Sequence, residues 1–77
     1  MHKNKKYLKL KYWREYLELS QEDMAVLLGC KRSNYSEKEK GNTSFYLQEA
    51  ILIHETFNKK LKKMGQATLT MDEIFLL

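Results

Sequence analysis

The chain has no proline and only three glycines among its 77 residues, so few positions interrupt a helix. The β-branched residues are also few (one Val, three Ile and four Thr), whereas Leu, Lys and Glu are abundant. This composition favours helices over strands. A chain of this length can bury one small core, so we expect a single all-α domain over residues 1–77.

The lone cysteine, Cys30, excludes an internal disulfide framework and a Cys-x-x-Cys metal site. His2 and His54 have no partner at ligand spacing, so we expect neither a metal nor a cofactor. The sequence has no nucleophile motif and no glycine-rich phosphate loop, and we therefore expect no catalytic site and no small-molecule substrate. Its apolar runs are too short for a membrane span or a signal peptide, which predicts a cytoplasmic protein without membrane association.

Positive charge is concentrated at the N-terminus. Residues 1–19 contain six basic and two acidic side chains, whereas the rest of the chain is balanced, so this segment accounts for the whole net charge of +4. A basic segment of this kind suits a polyanionic partner, although lysine-rich ends are more often only solvated.

The first half of the chain contains clear signals for helix ends. Ser20 with Asp23 three residues later is typical of a helix N-terminus, and Gly29 is typical of a C-terminus. Together with the apolar spacing, these signals predict three helices, over about residues 7–17, 21–28 and 32–39.

The second half predicts a longer helix over about residues 45–62, capped by Asn42, Thr43 or Ser44. Its inward face should consist of the apolar positions that recur every three or four residues: Leu47, Ala50, Ile51, His54, Phe57 and Leu61. A Thr70-x-x-Glu73 capping box then predicts a last short helix up to residue 77.

The predicted helices 2 and 3 have the features of a helix-turn-helix unit, in which two short helices cross at a tight turn. Ala25 is a small residue where helix 3 must approach closely, and Gly29 tolerates positive φ at the turn. Within this pattern, the run LSQEDMAVLLGCKRSNYSEKEKG at residues 19–41 resembles the core motif of the phage repressor/Cro-type (XRE-like) DNA-binding family.

The resemblance implies a compact five-helix, repressor-like fold whose third helix lies in the DNA major groove. It also implies that Arg14 of helix 1 pairs with Glu39 at the end of helix 3. Gln21, at the start of helix 2, would contact a phosphate and brace helix 3.

The residues at the start of helix 3 have the chemistry to read base edges. Arg32 can bridge guanine O6 and N7, Asn34 can pair with adenine, and Glu37 can accept from cytosine. Ser33 should face the groove beside Arg32 and Asn34. The groups suited to phosphates are Ser20, Gln21, Lys31 and Lys40. A solvated helix face is the plainer interpretation of the same residues.

Two residues differ from the family pattern. Lys38 stands where an apolar residue is usual, so its stem should lie over the core with the ammonium in solvent, or helix 3 should be rotated or frayed. Tyr35 replaces a smaller Ile or Val.

The function that these features predict is regulation of transcription by a sequence-specific homodimer on double-stranded DNA. The alternative is a protein-interaction module, an antitoxin or adaptor, which has the same fold but binds a protein through a C-terminal apolar surface.

Overall fold

The computed structural model describes residues 6–76, which form five helices and no strand. The helices are α1 (Leu8–Tyr16), α2 (Gln21–Leu28), α3 (Arg32–Glu39), α4 (Leu47–Lys63) and α5 (Met71–Phe75). The predicted all-α, five-helix architecture is confirmed, and α2 and α3 have the predicted bounds. The predictions that involve His2, Lys3, Lys5 and Leu77 lie outside the described residues.

The ends of α2 are determined by local chemistry. Ser20 Oγ accepts a hydrogen bond from the Asp23 amide at 2.9 Å, and the Asp23 carboxylate accepts one from the Ser20 amide at 2.8 Å. The backbone hydrogen bond from Ser20, reinforced by its hydroxyl, lowers the pKa of Asp23 below its ordinary value. At the other end Gly29 adopts φ +71°, a left-handed conformation in which helices commonly terminate.

The predicted start of α4 and its predicted caps are wrong. The helix begins at Leu47 rather than residue 45, and its N-cap is Tyr46 rather than Asn42, Thr43 or Ser44. The Glu49 carboxylate accepts a hydrogen bond from the Tyr46 amide at 3.0 Å. Phe45 remains outside the helix because its ring packs edge-on against Tyr7 and Phe75, with centroids 5.3 and 5.5 Å away.

The inward face of α4 agrees with the predicted one only in part. Phe57 and Leu61 are buried as predicted, together with Ile53, which was not predicted. Leu47 and Ile51 were expected inside but are exposed. A helix face can be shifted in this way because periodicity alone cannot choose between two overlapping apolar stripes.

A side-chain amide attaches the C-terminal segment to α4. Asn58 accepts a hydrogen bond from the Leu69 amide at 2.8 Å and donates one to the Leu69 carbonyl at 3.0 Å. His54 Nε2 lies 2.7 Å from the same carbonyl. After this contact, a Thr70–Glu73 capping box starts α5 at Met71, and α5 places Ile74 in the core.

Candidate nucleic-acid interface

Three residues connect α2 to α3, and the two helices pack directly against each other. Ala25, the small residue of α2, is buried and 1% exposed. The Ala25 carbonyl accepts a hydrogen bond from the Cys30 amide at 3.0 Å, which closes the end of α2 around Gly29. The turn therefore holds the start of α3 at a defined angle to α2.

A buried ion pair attaches the end of α3 to α1. Arg14 Nε donates to Glu39 Oε2 at 2.8 Å and Arg14 Nη2 donates to Glu39 Oε1 at 3.2 Å. Arg14 also donates to the Leu19 carbonyl at 2.7 Å, so one guanidinium joins α1, the residue before the α2 cap and α3. Such a two-pronged contact is stronger and more directional than a single charged hydrogen bond.

Two further donors complete the environment of Glu39. The Tyr35 hydroxyl donates to Oε2 at 2.8 Å and Gln21 Nε2 donates to Oε1 at 3.1 Å. Burial alone would raise the pKa of Glu39, but the hydrogen bonds from Arg14, Tyr35 and Gln21 outweigh it and lower that pKa. Burial and the adjacent carboxylate raise the pKa of Tyr35, so its hydroxyl remains a donor. Tyr35 is thus accommodated as a fully buried core residue whose polar end is satisfied.

The first turn of α3 faces outward. Arg32, Ser33 and Asn34 are all exposed, and their side chains have no hydrogen-bond or ion-pair partner among the described residues. Lys31, at the N-cap of α3, is exposed as well. Four of the sequence-predicted site residues are therefore exposed at the start of α3.

Glu37, one turn further along α3, is already engaged. Its carboxylate accepts a hydrogen bond from Asn42 at 2.9 Å and lies 3.8 Å from the amine of Lys40. A DNA base that donated a hydrogen bond to Glu37 would have to compete with both the Asn42 amide and the Lys40 amine. Glu37 thus differs from the three exposed residues before it.

Lys38 does not extend into solvent as the sequence predicted. Its side chain is 12% exposed, and its amine lies 3.1 Å from the Glu49 carboxylate and donates to the Ser44 carbonyl at 3.0 Å. The amine also lies 4.9 Å from the centre of the Tyr46 ring, within cation–π distance. Lys38 is a tether between α3 and the beginning of α4, and α3 keeps its predicted length.

A basic depression adjoins the N-terminus of α2 and the end of α3. It has a volume of about 130 Å³, and Gln21, Lys6, Lys11 and Lys40 contribute to its wall. Ser20, the cap of α2, is exposed beside Gln21, although its hydroxyl is used by the Asp23 amide. Lys6 and Lys11 were counted in the basic segment but not predicted as site residues, because sequence spacing does not show that α1 lies beside α2 and α3.

Within residues 6–76, no group of three or more His, Cys, Asp or Glu side chains is placed to hold a metal ion. In the same part of the chain, every helix is too short or too polar to cross a membrane. The chain matches no protein-family model, no curated protein and no solved structure.

Proposed function

We propose that the protein is a sequence-specific regulator of transcription that binds double-stranded DNA as a homodimer. In this proposal α2 and α3 form a helix-turn-helix of the phage repressor/Cro type, and α3 enters the major groove. The observation that carries the proposal is the contrast between the two sides of α3. Its inner side is held by the four-residue network around Glu39, whereas Arg32, Ser33 and Asn34 are exposed without partners among the described residues.

The exposed groups have complementary tasks in this arrangement. Arg32 has the forked donors that fit guanine O6 and N7, and the Asn34 amide fits adenine N6 and N7. Because Glu37 would first have to leave Asn42, the proposed base contacts rest on Arg32, Ser33 and Asn34. Phosphates would be held by Lys31 and by the basic depression that contains Gln21 and Lys40.

The direct test is selection of bound sites from random duplex DNA, followed by measurement of affinity over a range of salt concentrations. We expect an enriched, palindromic motif and a linear fall of log K with log salt, because phosphate contacts release counterions. Binding without an enriched motif, or no binding at low salt, would contradict the proposal.

Two matched variants separate base reading from phosphate contact. Arg32→Ala should weaken binding to the preferred site by about 1–3 kcal/mol and relax the preference at one base pair per half-site. Lys40→Ala should weaken binding to all sequences similarly and reduce the salt slope by about one. The reverse result, a change of base preference in Lys40→Ala only, would mean that α3 is presented differently.

A protein-interaction module is the second candidate, and an apolar patch on α4 favours it. Leu47 is 72% exposed, and Ile51 and Leu52 are also exposed on the outward side of the helix. This function predicts that Leu47→Glu abolishes binding to a protein partner while DNA selection yields no motif.

A further inference from the structure

One side of α1 carries an exposed ridge of large side chains. Leu8, Tyr12 and Tyr16 are 64%, 58% and 41% exposed, and their spacing of four residues places them on one helix face. The ridge extends over about 12 Å of helix. Exposed Tyr side chains in a contiguous group are typical of protein interfaces.

The aromatic part of the ridge is fixed before any partner binds. The rings of Tyr12 and Tyr16 stack with an interplanar angle of 13°, and Trp13 packs edge-on against both at 5.1 and 5.3 Å. The Tyr16 hydroxyl donates to Gln66 Oε1 at 2.8 Å, which attaches the ring to the segment after α4. Since these side chains are already ordered, their burial would cost little conformational entropy.

A two-fold axis through Tyr12 would pair α1 with an antiparallel α1 from a second copy. Each Leu8 would then be level with the Tyr16 of the other copy. Lys9 and Glu15 are both exposed, but at 100° per residue they lie on opposite flanks of the ridge and would not meet across this axis.

Lys11 is the residue that favours the antiparallel orientation. On a helix of 100° per residue it lies on the same flank of the ridge as Glu15. In the antiparallel pair each Lys11 is therefore beside the other copy's Glu15, and the two helix dipoles oppose each other favourably. An interface around a two-fold axis must be complementary to itself, and the Lys11–Glu15 pairs give this ridge charges that meet that condition.

We infer that the ridge formed by Leu8, Tyr12 and Tyr16 is the surface through which two copies of this chain associate. The inference concerns α1 alone and stands or falls independently of DNA binding. Because the ridge is short, the dimer should be weak and should form in the micromolar range.

Sedimentation equilibrium of the full chain without DNA tests the inference. The wild-type protein should show a monomer–dimer equilibrium. Tyr12→Glu, which places two carboxylates at the axis, should raise the dimer dissociation constant by about tenfold or more. Leu47→Glu also introduces a carboxylate at an exposed residue, on α4, and should leave the equilibrium unchanged. Circular dichroism checks that both variants fold.

A charge exchange supplies the second arm of the test. Glu15→Lys alone should weaken the dimer, and Lys11→Glu combined with Glu15→Lys should restore it, because the cross-copy pairs are re-formed with reversed signs. A wild-type chain that stays monomeric up to about 1 mM would overturn the inference. So would dissociation by Leu47→Glu rather than Tyr12→Glu, which would place the interface on α4. Failure of the wild-type dimer to select a DNA motif would instead count against the proposed function.

Discussion

Glu39 receives hydrogen bonds from Arg14, Gln21 and Tyr35, which belong to α1, α2 and α3 respectively. One carboxylate therefore relates the positions of three helices. Removal of one partner from such a buried pair leaves the other charge desolvated and uncompensated, which costs more than the pair contributes when it is intact.

Arg14→Ala should lower the free energy of unfolding by about 3–5 kcal/mol, because Glu39 would remain buried without its cation. Urea denaturation of wild type and variant measures the difference. Lys9→Ala, which removes an exposed cation from the same helix, is the control and should change stability by less than about 0.5 kcal/mol. Equal stabilities for Arg14→Ala and the control would show that the pair is solvated.

Glu39 also predicts how stability depends on pH. Its pKa is lowered in the folded protein, so the stabilisation is present above the ordinary glutamate range and is lost as pH falls towards the folded-state pKa. The difference in unfolding free energy between wild type and Glu39→Gln should therefore shrink between about pH 7 and about pH 3. The pKa of Asp23 is also lowered, but Asp23 is present in both proteins, so its contribution to the difference in unfolding free energy cancels. A difference in unfolding free energy that does not change with pH would show that it does not come from the ionisation of Glu39.

At the scale of the helices, the sequence predicted a helix end correctly where residues next to that end determine it. Ser20, Asp23 and Gly29 determine the ends of α2 within a few residues of themselves, and the observed bounds agree with the prediction. The start of α4 depends instead on Phe45, whose ring is held by Tyr7 and Phe75 from distant parts of the chain. No local signal reports such a contact, and for this reason the start of α4 was predicted wrongly.

The same distinction applies to the candidate site. The positions of Arg32, Ser33 and Asn34 at the start of α3 follow from its N-terminus, which the sequence indicates. The partners of Lys38 could not be predicted, because the amine reaches Glu49 on a helix that begins eight residues after α3 ends. The basic depression was missed for the same reason, since it joins Lys11 of α1 to Lys40 at the end of α3.

Gly29→Ala tests the turn between α2 and α3. A Cβ at this glycine would meet nothing within 4 Å. The expected decrease of about 1–2 kcal/mol in the free energy of unfolding therefore comes from the left-handed backbone alone. Gly29→Asn should cost less, since asparagine tolerates this conformation better. Thermal or urea unfolding gives both values. A loss well above this range for alanine would indicate that the turn must rearrange.

On the scale of the whole molecule, α5 depends on contacts made elsewhere. A five-residue helix is too short to be stable alone, yet it contributes Ile74 to the core and packs against α1 and α4. Its approach to α4 is determined by Asn58, which satisfies both the amide and the carbonyl of Leu69.

Asn58→Ala should therefore release residues 66–76 as a unit. We expect the amides of this segment, that of Leu69 first, to exchange with solvent faster, while those in the middle of α4 change little. The Leu69 amide loses its acceptor, which should cost about 1–3 kcal/mol, whereas the Leu69 carbonyl keeps His54 Nε2 at 2.7 Å. Thr68→Ala, an exposed change in the same segment, is the control. Uniformly faster exchange throughout the protein would mean that the segment does not open separately.

The exposed first turn of α3 has a consequence for how such a protein can diversify. Arg32, Ser33 and Asn34 take no part in the network around Glu39 or in the tether at Lys38. Replacement of these three residues changes the exposed surface of α3 without changing the contacts that attach α3 to the rest of the protein. Under the proposed function, a duplicated copy of this chain would therefore acquire a new target through a few substitutions at positions 32–34, while its folding remained under separate and unchanged selection.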